Sequence, residues 1–144
     1  MILEHATCIE VEGVGVLLRG ASGSGKSDLA LRLIDGGARL VSDDYVEIAA
    51  HGDRLLASAP ERIAGLIEVR GLGLIRTPHV TSCSLGLVVD LVGTDDVPRL
   101  PVPERVDLDG ISILRLRVAP FEVSACAKVR LAVRALDQLA GVPR

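Results

Sequence analysis

Eight consecutive residues, Gly20-Ala21-Ser22-Gly23-Ser24-Gly25-Lys26-Ser27, constrain this chain more than any other stretch. They spell G-x-x-x-x-G-K-S, a phosphate-binding loop when a strand leads in and a helix leads out. Both flanks are present. Val14–Arg19 is an apolar run that reads as a strand, and residues 28–34 read as a helix. The glycines let backbone N–H groups turn inward around an anion. The helix start adds unpaired N–H donors and the positive end of a dipole. Lys26 then reaches the β- and γ-phosphates of a nucleotide, and the Ser27 hydroxyl is placed for Mg²⁺.

The rest of the composition narrows the partners. The chain has 144 residues, enough for one domain with a sizeable core. Hydrophobic residues make up 49%, which excludes disorder as the default. With one Tyr, one Phe and no Trp, the core must be Leu, Val, Ile and Ala. That poverty also removes the stacking platforms that single-stranded nucleic acid uses. The formal net charge of -3 and the lack of a basic block argue against nucleic acid and anionic membrane surfaces. Cys8, Cys83 and Cys126 are far apart and odd in number, so they read as small buried hydrophobes. Met1-Ile2-Leu3 runs directly into Glu4 and His5, so no secretion signal is expected. A cytoplasmic protein without a membrane span is the expectation.

Pattern predicts an α/β chain with many strands and two main helices. Thr7–Val11 and Val14–Arg19 flank the turn Glu12-Gly13 as a hairpin. The helix after the loop buries Leu29, Ala30, Leu33 and Ile34, and Gly36-Gly37 stops it. Arg39–Ser42 is a short strand, and residues 45–50 and 55–57 pair across a turn at His51-Gly52-Asp53. Pro60 opens a single helical turn. Residues 67–69 and 85–91 read as strands, with residues 76–82 as loop and residues 97–103, carrying three prolines, as an irregular connection. Asp109-Gly110 marks a hairpin between residues 105–108 and Ile111–Val118. One helix is expected over residues 122–139, burying Val123, Cys126, Val129, Val133, Leu136 and Ala140, with Gly141 and Pro143 closing it. Too few helices separate the strands for a regular doubly wound sheet, so the sheet should be mixed.

A phosphate loop holds only a donor; transfer also needs a metal and a carboxylate at the acceptor. Asp43-Asp44 lies one helix and one strand beyond the loop. If Arg39–Ser42 runs beside the loop strand in parallel, the acid pair sits at the sheet edge where ligands of α/β proteins gather. Adjacent strand residues face opposite ways, so at most one acid addresses the phosphates unless the strand ends there. A solvated acidic turn is the plain alternative. Glu68, between Ile67 and Val69, looks like a buried acid that must be paired or metal-bound. Arg70 is on the same face, so a simple ion pair competes evenly with metal binding. His5, Arg76 and His79 read as exposed residues on pattern alone.

Taken together, these residues resemble the catalytic, C-terminal domain of the HPr serine kinase/phosphorylase family. The resemblance rests on His5-Ala6, Gly13-Val14-Gly15-Val16-Leu17-Leu18, the loop of residues 20–27, Arg39-Leu40-Val41-Ser42-Asp43-Asp44, and Glu68-Val69-Arg70-Gly71-Leu72-Gly73-Leu74-Ile75. It is good from His5 to Ile75 and loose afterwards. Ala38 stands where family members usually carry a histidine, and residues 76–82 lack their glycine-rich loop with its arginine. The chain resembles the truncated alphaproteobacterial form. The family's fold, akin to that of phosphoenolpyruvate carboxykinase, implies a single P-loop kinase domain over residues 1–144. It implies a kinase that uses ATP and Mg²⁺ to phosphorylate a serine of an HPr-like phosphocarrier, with phosphorolytic removal as the reverse reaction. By motif, Lys26 holds the phosphates, Asp44 is the base that takes the serine proton, and His5 is an active-site residue. Ser27, Asp43 and Glu68 form the metal-side set. A sensor kinase and a second copy of the chain are further candidate partners. Two other functions fit the loop, a kinase for a small metabolite and a non-catalytic regulator that senses nucleotide. The acids favour chemistry over sensing, and no arginine-rich lid segment marks a small-molecule kinase.

Overall fold

The computed structural model describes residues 1–141. Strands β1 (Ile2–Glu4), β2 (Thr7–Val11) and β3 (Val14–Arg19) lead into helix α1 (Lys26–Asp35). Strands β4 (Arg39–Ser42), β5 (Val46–His51), β6 (Arg54–Ser58), β7 (Leu66–Val69) and β8 (Gly73–Arg76) follow. The long strand β9 (Ser82–Leu91), the hairpin β10 (Glu104–Leu108) and β11 (Ile111–Val118), and helices α2 (Ala125–Arg134) and α3 (Leu136–Leu139) complete the chain. Single 3₁₀ turns occupy Glu61–Ile63 and Thr94–Asp96. The class is α/β with a mixed sheet and two main helices. No helix among the described residues is long and apolar enough to cross a membrane.

The sheet is built around β9. One edge of β9 pairs with β3 in parallel. Its other edge pairs first with β6, antiparallel, and then with β11, parallel. The order continues from β3 to β2 to β4, and from β6 to β5 to β1. Along β3 the faces alternate, as a strand requires. Leu18 joins Leu29, Leu33 and Val89 beneath α1, while Leu17 joins Cys8, Val88 and Ile48 on the opposite face. Each fully buried Leu or Val contributes about 1.5–3 kcal/mol of hydrophobic stabilisation. Cys8 and Cys83 lie in the second cluster as free, buried thiols.

Helix α1 ends as its glycines dictate. Gly37, at φ 111°, takes the left-handed position after the last turn. Ala38 N–H then donates to Leu33 O at 3.0 Å and Gly37 N–H to Ile34 O at 2.9 Å, closing a Schellman motif. Asp28 and Arg32 pair across one turn at 3.0 Å.

Several expectations are corrected. β4 pairs with β2, not with the loop strand β3. Both β3 and β4 are antiparallel to β2, so they still point the same way and end on the same side. The C-terminal helix is two, because Ala135 leaves helical geometry at φ -115°, ψ 25°. Val123, expected in the core, precedes the helix and is fully exposed. β1 and β8 are strands that pattern reading missed, and β9 starts three residues earlier than expected. Gly141 ends the described chain, and Pro143 lies outside the described residues.

Two features give measurable consequences. A Cβ at Gly15 would lie 2.6 Å from Cys83 Sγ and 2.7 Å from the Ser84 carbonyl oxygen, so β3 meets β9 there with no room for a side chain. We expect Gly15→Ala to lower stability by about 1–3 kcal/mol, read from the urea unfolding midpoint. Asp90 on β9 accepts Arg19 Nε at 2.7 Å and Nη2 at 3.0 Å, and also accepts Arg115. Burial pushes its carboxyl up, but the hydrogen bonds and charges of the two arginines outweigh this and leave it below the ordinary value. A carboxylate depressed by folding stabilises above its unfolded pKa and loses that contribution as pH falls through the folded one. Asp90→Asn should therefore be less stable than the wild type at neutral pH, with the difference shrinking below about pH 4. A constant difference down to about pH 2 would contradict this.

Candidate active site

The loop of residues 20–27 connects β3 to α1, and its shape is set by glycine. Gly23 and Gly25 have φ 80° and φ 100°, the left-handed region that other residues resist. Ser24 N–H donates to Ala21 O at 3.0 Å, closing a tight turn. A Cβ on Gly25 would meet the Phe121 ring at 2.9 Å, so the segment after β11 roofs the loop's C-terminal end. Arg32 ties that segment down by donating to Pro120 O. Lys26 is only 9% exposed. Its ammonium group donates to Gly20 O at 2.6 Å and Ala21 O at 3.1 Å, which holds it inside the loop. Directly before the loop, Arg19 is clamped by Asp90, so the point where the loop begins is fixed.

The acid pair stands where β4 stops. Strand geometry ends at Ser42, and Asp44 has φ 69°. Alternation therefore no longer forces the two carboxylates to opposite faces. Asp43 is 6% exposed and accepts three hydrogen bonds. Its Oδ1 accepts Ser27 Oγ and Thr7 Oγ1, each at 2.9 Å, and its Oδ2 accepts the Glu68 N–H at 3.0 Å. Asp44 is open, with its side chain 66% exposed. Its Oδ1 lies 2.9 Å from His5 Nε2, and the His5 ring stacks on Tyr45 at 5.0 Å between centroids. Ala6 N–H holds the Asp44 carbonyl at 3.0 Å. His5 reaches this position because β1 pairs with β5 while β2 pairs with β4, leaving it at the crossing between sheet edges.

Glu68 departs from the sequence reading. It is exposed, not buried, and among the described residues its carboxylate makes no ion pair with Arg70. It enters the site through its backbone N–H, which anchors β7 to Asp43. Thus the structure gathers the loop, Ser27, Asp43 and the backbone of Glu68 into one hydrogen-bonded cluster, with His5 and Asp44 joined on the neighbouring turn. Sequence reasoning missed Thr7, whose hydroxyl faces a buried acid. It also missed the Arg19–Asp90 clamp and the Pro120-Phe121 roof. None of these has a motif, because each depends on strand register.

The donor types suit a hard cation: a hydroxyl from Ser27, a carboxylate from Asp43, and the exposed carboxylate of Glu68, whose backbone N–H bonds Asp43. No group of three or more His, Cys, Asp or Glu side chains converges as a cage among the described residues.

Fold and loop together define a phosphate-binding α/β domain of the P-loop type. The model of the HPr Serine kinase C-terminal domain matches residues 1–96, which include every candidate site residue. This chain belongs to that family. It is 43% identical over 89 residues to an HPr kinase/phosphorylase of Clostridium tetani, covering 62% of this chain and 29% of the relative. It is 56% identical over 72 residues to an HPr kinase/phosphorylase of Bacillus pumilus, covering 49% of this chain and 23% of the relative. The chain thus spans less than a third of the length of these curated relatives. Its fold superimposes on the HPr(Ser) kinase/phosphatase from Coxiella burnetii with a TM-score of 0.85 at 26% identity, covering 96% of this chain and 97% of that one.

Asp43 is the test of this cluster. Replacing it removes the acceptor for three donors, two of them side-chain hydroxyls in tightly packed surroundings. We expect Asp43→Ala to lose about 2–4 kcal/mol in urea unfolding, well beyond an ordinary surface substitution. A loss under about 0.5 kcal/mol would show that the bridge is not structural.

Proposed function

We propose that residues 1–144 act as one ATP-dependent protein-serine kinase domain whose acceptor is an HPr-like phosphocarrier, in the cytoplasm. The reading is carried by one observation. The loop's Ser27 and the buried Asp43 share a hydrogen bond of 2.9 Å, and the next residue, Asp44, presents an open carboxylate held by His5.

In this reading the loop N–H groups and Lys26 bind and orient the triphosphate. The acceptor serine approaches Asp44, whose carboxylate takes the hydroxyl proton as the serine oxygen bonds to the γ-phosphorus. The bond from the γ-phosphorus to the bridging oxygen breaks, and ADP leaves with that electron pair. His5 fixes the direction of the Asp44 carboxylate. Ser27, Asp43 and Glu68 would hold Mg²⁺, which when bound neutralises charge on the transferred group. In the phosphorolytic direction an oxygen of inorganic phosphate bonds to the phosphoserine phosphorus, the bond from that phosphorus to the serine oxygen breaks, protonated Asp44 returns its proton to the serine oxygen, and pyrophosphate leaves.

Exposure supports a protein acceptor over a small metabolite. Enzymes that phosphorylate metabolites close over them to exclude water. Here Asp44 stands on an open surface, within reach of a serine carried by a folded partner.

The experiment is transfer from ATP, with Mg²⁺, to an HPr protein. Wild type should phosphorylate one serine. Asp44→Asn should reduce the rate by about 10²–10⁴-fold while the Kd for ATP is unchanged. Retained ATP binding with no transfer by the wild type would overturn this reading in favour of a nucleotide sensor.

A further inference from the structure

We propose that the β7–β8 hairpin is the docking surface for the protein acceptor, gripping apolar surface flanked by carboxylates beside the acceptor serine; this rests on the kinase reading above.

The hairpin is divided by its register. β7 and β8 pair only with each other, as a two-stranded sheet apart from the main one. Ile67 is buried in the core below α1, so one face is anchored. Glu68 pairs with Leu74, and residues directly opposite in an antiparallel pair share a face. Leu74 is 69% exposed and Leu72, at the tip, 72% exposed. Gly71, at φ 91°, closes the turn that presents Leu72, with Leu72 N–H donating to Val69 O at 2.9 Å. A two-stranded hairpin is marginal alone, and large apolar side chains grouped on its outer face mark an interaction surface. Phosphate chemistry gives Leu72 and Leu74 no role.

Position identifies the occupant. The hairpin is tied to the site by the hydrogen bond from Glu68 N–H to Asp43 at 3.0 Å. Leu72 is four residues further on, so it lies at most about 13 Å from that bond. Leu74 stands beside Glu68 itself. A folded protein that brings a serine to Asp44, the residue after Asp43, comes within reach of these leucines. Its charge is indicated as well. Arg70 and Arg76 flank the leucines, are exposed, and form no ion pair among the described residues. Leu72 and Leu74 are thus flanked by two cations, with the exposed Glu68 carboxylate on the same face assigned to the metal in the kinase reading, and the free rim recognises an apolar patch bearing carboxylates.

The test uses the full chain, ATP with Mg²⁺, and an HPr protein as the acceptor. Leu72→Ser/Leu74→Ser should raise KM for HPr about tenfold, with kcat and the Kd for ATP unchanged. Both side chains are solvent-exposed, so the urea midpoint should not fall. Leu72→Met/Leu74→Met keeps the apolar surface and should hold KM near the wild-type value. Arg76→Gln should raise KM and flatten its dependence on salt. An unchanged KM in the serine variant overturns the docking proposal and leaves the kinase reading intact. A change in sedimentation without a change in KM assigns the leucines to a second copy of the chain and overturns it too. No transfer by the wild type overturns the kinase reading, and this proposal with it.

Discussion

One buried carboxylate ties the site together. Asp43 accepts from Thr7 on β2, from Ser27 at the start of α1, and from the backbone of Glu68 on β7, while itself directly following β4. A carboxylate only 6% exposed is costly unless its oxygens are satisfied. Three donors, each contributing about 1.5–3 kcal/mol as a bond to a charged acceptor, offset that cost. The result is a fixed geometry between four elements distant in sequence. The phosphate loop, the acid turn and the hairpin cannot move independently while it lasts.

The sheet brings those elements to one edge. β3 and β4 are both antiparallel to β2, so the loop and the acid turn leave the sheet on the same side. Across the other flank of β3, a chain of ion pairs runs from Arg19 through Asp90 and Arg115 to Glu104. It joins the ends of β3 and β9 to the middle of β11 and the start of β10. Packing below and charge pairing at the rim thus hold the residue before Gly20 in place. The left-handed glycines can then shape the loop without loosening its base. His5 and Asp44 lie outside this rigid frame, on the solvent side, where a reacting partner has access.

What was legible in the sequence was whatever is written locally. The loop's glycines, Lys26 and Ser27 act within one turn of chain, and the helix stop at Gly36-Gly37 follows from backbone conformation alone. The mixed sheet followed from the ratio of strand to helix signals. Features set by register were not legible. Thr7 looked like any strand residue, and only the pairing of β2 between β3 and β4 turns its hydroxyl onto Asp43. Glu68 looked buried because its neighbours Ile67 and Val69 are apolar, but on a strand those neighbours take the core face and leave Glu68 outside. The break at Ala135 was invisible, because alanine is the best helix former and gives no local stop signal. β1 was missed because three residues beside the chain start carry too short a pattern to read.

The central claim is that the loop, Asp43, Asp44 and Glu68 surround one nucleotide–metal centre. Paramagnetic Mn²⁺ in place of Mg²⁺, added with ADP to isotope-labelled protein, tests it directly by NMR. The backbone amide signals of Ser27, Asp43, Asp44 and Glu68 should broaden together, with those of β10 unaffected. Broadening confined to the loop, with the Asp44 and Glu68 signals left sharp, would contradict the account.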